Sequence, residues 1–343
     1  MKPKPGTISW SVIPSTASGP QADRQKFNYV NIKPGSKIAD HVAIVNRSTR
    51  TVAFTVYATD ASGTTQQNVL TFLPAAKKPT DIGSWVRLPH GVSKMNVVIP
   101  AKTAVIEPFK ISVPHTATPG DHTGGMIASV SFARKGPNGA EVTEDQRIAV
   151  PIEMRITGPL HAKLSVQSIS GTFGNTVNPF GDGSATVAYS LRNTGNVRLT
   201  GTQAVSVTGP FGIKVKIKAK QLQLPTVLPG KSVRIVEHTS GLYPAGPLTA
   251  NVHVTPANPS DAPPLHLPLA NTGGSASLFA VPWGLILLIV LLAGGGVGLW
   301  QLWKWRRRQL RETLTAIAES AREETEKRMS SESTPATQSQ SKA

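Results

Sequence analysis

The sequence predicts an all-β protein: two tandem immunoglobulin-like β-sandwich domains, followed by a single transmembrane helix and a cytoplasmic helical or disordered tail. Three observations predict it. Apolar residues recur with a period of two through most of the chain, as in Val52-Ala53-Phe54-Thr55-Val56-Tyr57-Ala58, where Val52, Phe54, Val56 and Ala58 share a face. Gly, Pro and Asn turns separate such runs at a spacing of about ten residues, the pattern of a sandwich. Near the end, Phe279 to Trp300 reads FAVPWGLILLIVLLAGGGVGLW, with no charge and no polar face.

The first sandwich is expected over 7–157. Its strands are read at Ile8–Ile13, Asn28–Ile32, Lys37–Asn46, Val52–Thr59, Trp85–Leu88, Lys94–Ile99, Ala104–Val113, Gly124–Phe132 and Arg147–Ile156. Lys33-Pro34-Gly35-Ser36 makes a tight turn, because Pro presets φ and Gly accepts a positive one. Asn46-Arg47-Ser48-Thr49 turns the chain between two long strands, Pro119-Gly120-Asp121 precedes another, and Pro137-Asn138-Gly139 closes the last hairpin. Thr59 to Ser84 reads as a long irregular loop, a length more often functional than idle.

The second sandwich is expected over 160–268, with strands at Lys163–Ile169, Ala185–Asn193, Gln203–Thr208, Ile213–Ile217, Gln221–Leu224, Ser232–His238 and Leu248–Val254. It echoes the first. Asn46-Arg47-Ser48 is answered by Asn193-Thr194-Gly195, and Lys33-Pro34-Gly35-Ser36 by Leu228-Pro229-Gly230-Lys231, so two related sandwiches in tandem are expected. The Pro-, Ala- and Ser-rich segment Thr255 to Ser277 reads as an extended stalk. The transmembrane helix is placed over 278–303. Trp283 stands near one end, and Trp300, Trp303 and Trp305 near the other, where indoles favour the interface. Lys304, Arg306, Arg307, Arg308 and Arg311 follow, with no Lys or Arg between Leu265 and Trp283, so the positive-inside rule puts the basic tail (304–343) in the cytoplasm and everything before it outside. Within that tail, Leu310, Leu314, Ile317, Ala318 and Ala321 fall at helical spacing, and Ser330 to Ala343 reads as disordered.

About 275 residues are left outside, enough for two domains. The chain has no cysteine, so an exported domain of this kind relies on its apolar cores. Export requires a signal peptide, and MKPKPGTISW has no apolar stretch to serve as one; the signal is expected to have been removed or to lie upstream. The net charge is +17, most of it ahead of the apolar run. An exported domain does not meet nucleic acid, and the partners a basic surface would attract are teichoic acids, anionic glycans, anionic lipids and peptidoglycan carboxylates.

No HExxH, GxSxG or phosphate-loop pattern occurs, so no enzyme, cofactor or metal is expected. His115, Asp121 and His122 flank one turn and could ligate a metal, but two loop histidines beside a turn is the reading preferred. Glu141, Glu144 and Asp145 lack calcium-loop spacing. Asn46-Arg47-Ser48 matches the glycosylation pattern, a frequent chance match. Trp10, Tyr29 and Trp85 are candidate sugar- or peptide-facing aromatics, with core packing as the alternative for each.

Leu269-Ala270-Asn271-Thr272-Gly273, standing just before the apolar run, resembles a sortase sorting signal of the LAxTG type found in actinobacterial surface proteins. The resemblance implies attack by a sortase on the Thr272 carbonyl and attachment to peptidoglycan. The chain continues well beyond the basic block, unlike most such signals, and an ordinary stalk turn remains the alternative. Phe27-Asn28-Tyr29-Val30-Asn31-Ile32-Lys33-Pro34-Gly35, Ile44-Val45-Asn46-Arg47-Ser48, and Pro119-Gly120 followed by Gly124-Gly125-Met126-Ile127-Ala128-Ser129 together resemble the N-terminal peptidoglycan-binding domain of the WxL-interacting protein family, over about Ile8 to Ile156. The resemblance implies a surface protein whose first sandwich holds the cell wall and whose second holds a protein partner. The alternative is a membrane-tethered scaffold subunit of a surface complex without specific wall binding.

Overall fold

The computed structural model describes residues 8–21, 23–135, 140–174, 178–209, 214–215, 222–244 and 246–332. Among the described residues there are nineteen strands and two α-helices. The first part of the chain forms β1 (Trp10–Thr16), β2 (Gly19–Pro20), β3 (Phe27–Ile32), β4 (Lys37–Asn46), β5 (Val52–Thr64), β6 (Leu70–Phe72), α1 (Ile82–Trp85), β7 (Val86–Arg87), a 3₁₀ turn at Pro89–Gly91, β8 (Lys94–Ile99), β9 (Ala104–Ser112), β10 (Gly120–Lys135) and β11 (Glu141–Ile156). One sheet runs β2-β1-β4-β9-β7. The other runs β3-β11-β10-β5-β6, with β8 also on β5. All pairs are antiparallel except β3 with β11. The inward residues of both sheets form one apolar core, in which Phe27, Ile44, Phe54, Phe109, Ile111 and Ile152 are fully enclosed. The rings of Phe27 and Phe109 meet edge to face at 5.0 Å, a favourable aromatic arrangement.

The second part forms β12 (Leu164–Gly174), β13 (Gly183–Asn193), β14 (Leu199–Thr208), β15 (Lys214–Val215), β16 (Leu222–Val227), β17 (Ser232–Leu242), β18 (Gly246–Ala257) and β19 (Thr272–Ala280). A sheet β12-β13-β17 packs on a sheet β15-β14-β18-β19, with β16 on β14. Its separate core contains Val187, Tyr189, Leu191, Leu199, Ile235, Val252 and Leu278. Both sandwiches belong to one compact unit, residues 1–174 and 183–280.

Three expectations are corrected here. The segment Thr59 to Ser84 is an organised edge rather than an irregular loop: β5 runs on to Thr64 and β6 folds back on it. The Asp60 carboxylate gathers the rest by accepting from the backbone N–H of Thr80 (2.7 Å), Asp81 (2.9 Å) and Gly83 (2.7 Å). Gly83 is needed there, because a Cβ would come within 2.5 Å of the Thr59 backbone.

The expected stalk is also structure. Residues Thr272–Ala280 are β19, paired with β18 from Val254↔Thr272 to Gly246↔Ala280, and Leu278 and Ala280 are buried in the second core. The second sandwich therefore extends past 268 to Ala280, and the apolar helix begins at Trp283, not at 278.

The third correction concerns the echo between the sandwiches. Asn46 and Asn193 are equivalent, both fully buried. The turn that meets Asn193, Leu228–Lys231, corresponds to Pro100–Thr103, which meets Asn46, and not to Lys33–Ser36 as the sequence suggested. The hairpin at 137–139, the strand expected at Ile213–Ile217 (in part) and residues 333–343 of the tail lie outside the described residues.

The remaining helix, α2 (Trp283–Glu332), is 50 residues long, about 75 Å at 1.5 Å per residue. Its first half is apolar, and Ile286, Leu287, Ile289, Val290, Leu291 and Leu292 are exposed. It is long and apolar enough to cross a membrane. Lys304 lies over the Trp300 ring at 4.1 Å and Arg307 over Trp303 at 3.5 Å, cation–π pairs that hold the basic block against the indoles. The helix continues through the expected tail helix, with Leu310, Leu314 and Ile317 exposed.

Candidate functional site

The chemistry-bearing side chains concentrate at the joint between the two sandwiches. Alternation along β11 turns Ile152, Met154 and Ile156 into the core, which places Glu153 and Arg155 on the opposite face. Antiparallel register sets Arg155 beside Asp121 on β10. Arg155 donates to both Asp121 oxygens, Nε to Oδ1 at 2.6 Å and Nη2 to Oδ2 at 2.8 Å. From the second sandwich, Arg198 brings its backbone N–H to Asp121 Oδ2 at 2.7 Å and its guanidinium to Glu153. Lys26 donates to Glu153 at 2.5 Å and also to Asp261 of the β18–β19 connection. Arg155 reaches the Pro263 carbonyl at 3.0 Å.

Three acids and three bases thus balance. Asp121, Arg155 and Arg198 have side chains only 2%, 6% and 4% exposed. Pairing is what makes such burial tolerable. Partial burial by itself would raise the Asp261 pKa, but the hydrogen bond and charge of Lys26, with the field of Arg198, outweigh it and hold the carboxyl below its ordinary value.

A second set of bonds comes from the β5–β6 turn. Gln66 donates its amide N–H to the Val236 carbonyl (2.9 Å) and accepts from the Val236 N–H (3.2 Å), the pattern of a neighbouring strand residue on the free edge of β17. Asn68 accepts from Thr226 N–H at 2.7 Å, and Thr64 donates to the Thr226 carbonyl. Side-chain amides thereby cover backbone groups that an exposed edge would offer to another chain. Asn196 completes the joint, its side-chain amide donating to the carbonyls of Pro119 and Pro159 while its backbone carbonyl accepts from the Asp121 N–H.

Two cavities flank this network. One, of 400 Å³, is bordered by Lys26, Asn68, Glu153, Arg198, Thr226 and Asp261. The other, of 210 Å³, is bordered by Asp81, Asp121, His122 and Lys231. His122 presents Nδ1 to Asp81 Oδ1 (2.6 Å) and Nε2 to the Thr118 carbonyl (2.9 Å). Both partners are acceptors, so both ring nitrogens must donate and the ring is an imidazolium when both bonds are made. Burial would lower its pKa. The bond and charge of Asp81, the Thr118 carbonyl and the charge of Asp121 outweigh burial, and the net shift is upward.

The sign of the pH dependence follows. A histidine whose folded pKa is raised contributes stability that is fully present below its unfolded value of about 6.5 and is lost as pH rises through the folded pKa. The thermal midpoint should therefore fall as pH is raised above about 6.5, and His122→Gln should flatten that slope. Unfolding scans from about pH 5.5 to 8.5 measure it; an unchanged slope in the variant would rule out His122 as its source.

Of the residues singled out in the sequence, Asp121 and His122 belong to this joint, as ion-pair and hydrogen-bond partners, and the aromatic candidates belong to the core. Trp10 and Trp85 are 7% and 8% exposed. Trp10 donates its indole N–H to the Ala128 carbonyl and packs 5.7 Å from Phe54, and Trp85 lies 4.9 Å from the His122 ring. Tyr29 is partly buried, with its hydroxyl donating to Asp40 at 2.7 Å; burial and the Asp40 carboxylate push the phenol pKa up. These aromatics are core and core-edge residues, not ligand-facing ones.

In the sorting-like motif, Leu269 packs on the second core, Thr272 and Gly273 pair with Val254 and His253, and the Thr272 hydroxyl accepts from Val166 N–H. A sortase needs an extended, unpaired substrate, and here β18 already holds that backbone. His115 packs against Gly35, Asp121 faces arginines and His122 faces Asp81; among the described residues no group could hold a metal ion. Lys304, Arg306, Arg307, Arg308 and Arg311 lie along α2. Asn46 is enclosed and uses both side-chain atoms in hydrogen bonds, so it cannot carry a glycan.

No family model matches the chain, and no curated protein does. Among solved structures, it is similar to a chain from a chaperone–tip adhesin complex of CFA/I fimbriae biogenesis (11% identity over 80% of this chain and 99% of that chain, TM-score 0.33). It is also similar to the class 5 fimbriae chaperone CfaA (10%, 80% and 100%, TM-score 0.32) and to the CupB2 chaperone of Pseudomonas aeruginosa (7%, 75% and 98%, TM-score 0.31). These scores are low, and the sandwich assignment stands on the strand order itself.

Proposed function

We propose that this chain is a non-catalytic bacterial cell-surface protein, built as two tandem immunoglobulin-like domains on a single-pass anchor. In this reading the sandwiches stand outside and the basic end of α2 is cytoplasmic. The first sandwich holds peptidoglycan or anionic wall polymers, and the second a protein partner. One observation carries the tether: an exposed, uncharged helical run from Trp283 that ends on Lys304, Arg306, Arg307 and Arg308. The excess of positive charge ahead of the run supports attraction to anionic polymers, and the WxL-interacting resemblance over Ile8 to Ile156 supports the wall as the ligand. Sortase processing is set aside, since it would require β19 to peel from β18.

The second reading, a membrane-tethered scaffold, is favoured by the line Leu310, Leu314 and Ile317 on α2, which is exposed and at the spacing of a helix-pairing seam.

Two measurements on the full chain test these readings. The absence of cysteine allows single reporters: Ser93→Cys should label with an impermeant maleimide in intact cells and Ser320→Cys only after lysis. The reverse pattern would overturn the orientation. Cosedimentation with sacculi stripped of secondary polymers should survive roughly 0.3 M salt, where the Debye length is well under 10 Å. Loss of binding at that strength would leave charge alone and favour the scaffold.

A further inference from the structure

The first sandwich carries a groove of 340 Å³ away from the joint, bordered by Arg87, Lys110, His41 and His90 over Leu88 and Pro108. Its construction is unusual in charge. Arg87 and Lys110 are direct partners across the antiparallel β7–β9 pair. Like charges placed opposite one another on a sheet repel. Among the described residues neither has an acidic side chain as ion-pair partner. Arg87 uses Nη1 on the carbonyls of Ser84 (2.6 Å) and Val86 (2.8 Å), leaving Nε and Nη2 for another acceptor.

One acid, Asp40, also lines the groove, and it is fully engaged. It accepts from Nη1 and Nη2 of Arg24 (3.3 and 2.8 Å), from the Tyr29 hydroxyl and from the His41 N–H. The fourth wall is a tight turn. His90 sits at φ 61° and Gly91 at φ 77°, with Gly91 N–H on the Leu88 carbonyl (3.0 Å) and Leu88 N–H on the Val92 carbonyl (2.8 Å). Left-handed backbone at a histidine is uncommon; here it swings the turn back beside Arg87.

We propose that this groove binds an acidic sugar residue: an oxyanion on a hexose-sized body, with the anion between Arg87 and Lys110 and the ring on the Leu88–Pro108 floor. Two cations held together without a counter-ion gain from an anion. A guanidinium edge with two free donors matches a carboxylate or phosphate, and the volume is that of a small-ligand site. The inference rests on the wall-binding reading and names the part of the first sandwich that performs it. The oxyanion could belong to a sugar acid or to a sugar phosphate.

The test is ligand-observed NMR on the full chain in detergent micelles with three probes of one shape: glucuronate, glucose 6-phosphate and glucose. Saturable binding of at least one anionic probe is expected, tighter than glucose by about tenfold, the worth of one charge-assisted pair. The stronger of the two tells sugar acid from sugar phosphate. Arg87→Gln and Lys110→Gln should each weaken it by about fivefold or more. Arg234→Gln, which removes the same charge from the second sandwich, should change it by less than about twofold. The Lys110 side chain makes no hydrogen bond among the described residues, so its variant stays informative if Arg87→Gln unfolds.

Equal binding of glucose, or equal losses in all three variants, would overturn the groove. Sacculus cosedimentation on the same variants separates the two ideas: binding retained by Lys110→Gln would overturn the groove and leave the wall reading standing, whereas salt-sensitive binding in every chain would overturn both.

Discussion

Replacing Asp121 by alanine is expected to cost about 3–5 kcal/mol, the loss typical of breaking a buried ion pair from one side. The change strips Arg155, 6% exposed, of its carboxylate partner, leaves Arg198, 4% exposed, with Glu153 alone, and removes the acceptor of the Arg198 backbone N–H. For a unit of this size the thermal midpoint should drop by about 10 °C. Asp121→Asn keeps the shape and one acceptor but not the charge, and should recover only part. Asp121→Leu combined with Arg155→Met should recover more than either single change, because both partners of the bidentate pair then leave together. Urea unfolding of the full chain, read by tryptophan fluorescence, measures these values. A loss below about 1 kcal/mol for Asp121→Ala would place the pair with exposed salt bridges and remove the joint's claim to hold the sandwiches together.

Of that joint only Asp121 and His122 stood out in the sequence, as possible metal ligands, and the reason the rest was hidden is physical. Glu153 and Arg155 alternate with Ile152, Met154 and Ile156, which is how a solvated sheet face reads. Nothing local shows that a second sandwich will cover that face, bringing Arg198 and Asp261 from far along the chain. The Gln66 and Asn68 side chains that complete the edges of β17 and β16 are equally silent, since polar turn residues usually face water. Local order was legible. Most strands of both cores followed from period-two alternation, and the apolar helix from its length and lack of charge.

Composition misled at β19. An edge strand needs few apolar residues, and only Leu278 and Ala280 of β19 are buried. Its glycines are fitted to close approaches, Gly273 to the Val252 carbonyl and Gly274 to Ile169. A stretch rich in small residues therefore read as a linker. The aromatic candidates failed for a related reason: a single Trp or Tyr carries no sign of which way it faces, and Trp10 on β1 and Trp85 at the end of α1 both turn inward.

The sequence feature with the most structural content is the repeated asparagine, and it yields the second large effect. Asn46 donates to the carbonyls of Arg50 (2.9 Å), Ile99 (2.9 Å) and Pro100 (3.1 Å), and accepts from Ser48 N–H (2.9 Å). Asn193 donates to Val197 (2.7 Å) and Val227 (2.8 Å), and accepts from Gly195 N–H (2.9 Å). Each closes its own turn and ties it to the connection across the core. Alanine at either site leaves buried carbonyls without a donor, a cost of about 2–4 kcal/mol.

Aspartate at either site is expected to be worse than alanine although it is nearly isosteric, because a carboxylate would face carbonyl oxygens in a site with no exposure. The two sites lie in separate cores and share no partner, so the double alanine variant should lose the sum of the single losses within about 0.5 kcal/mol. Equilibrium unfolding of the four single variants and the double variant decides this. An aspartate tolerated within about 1 kcal/mol at one site but not the other would mean that the two turns only look alike. Matched penalties would identify the pair as one folding device used twice in the chain.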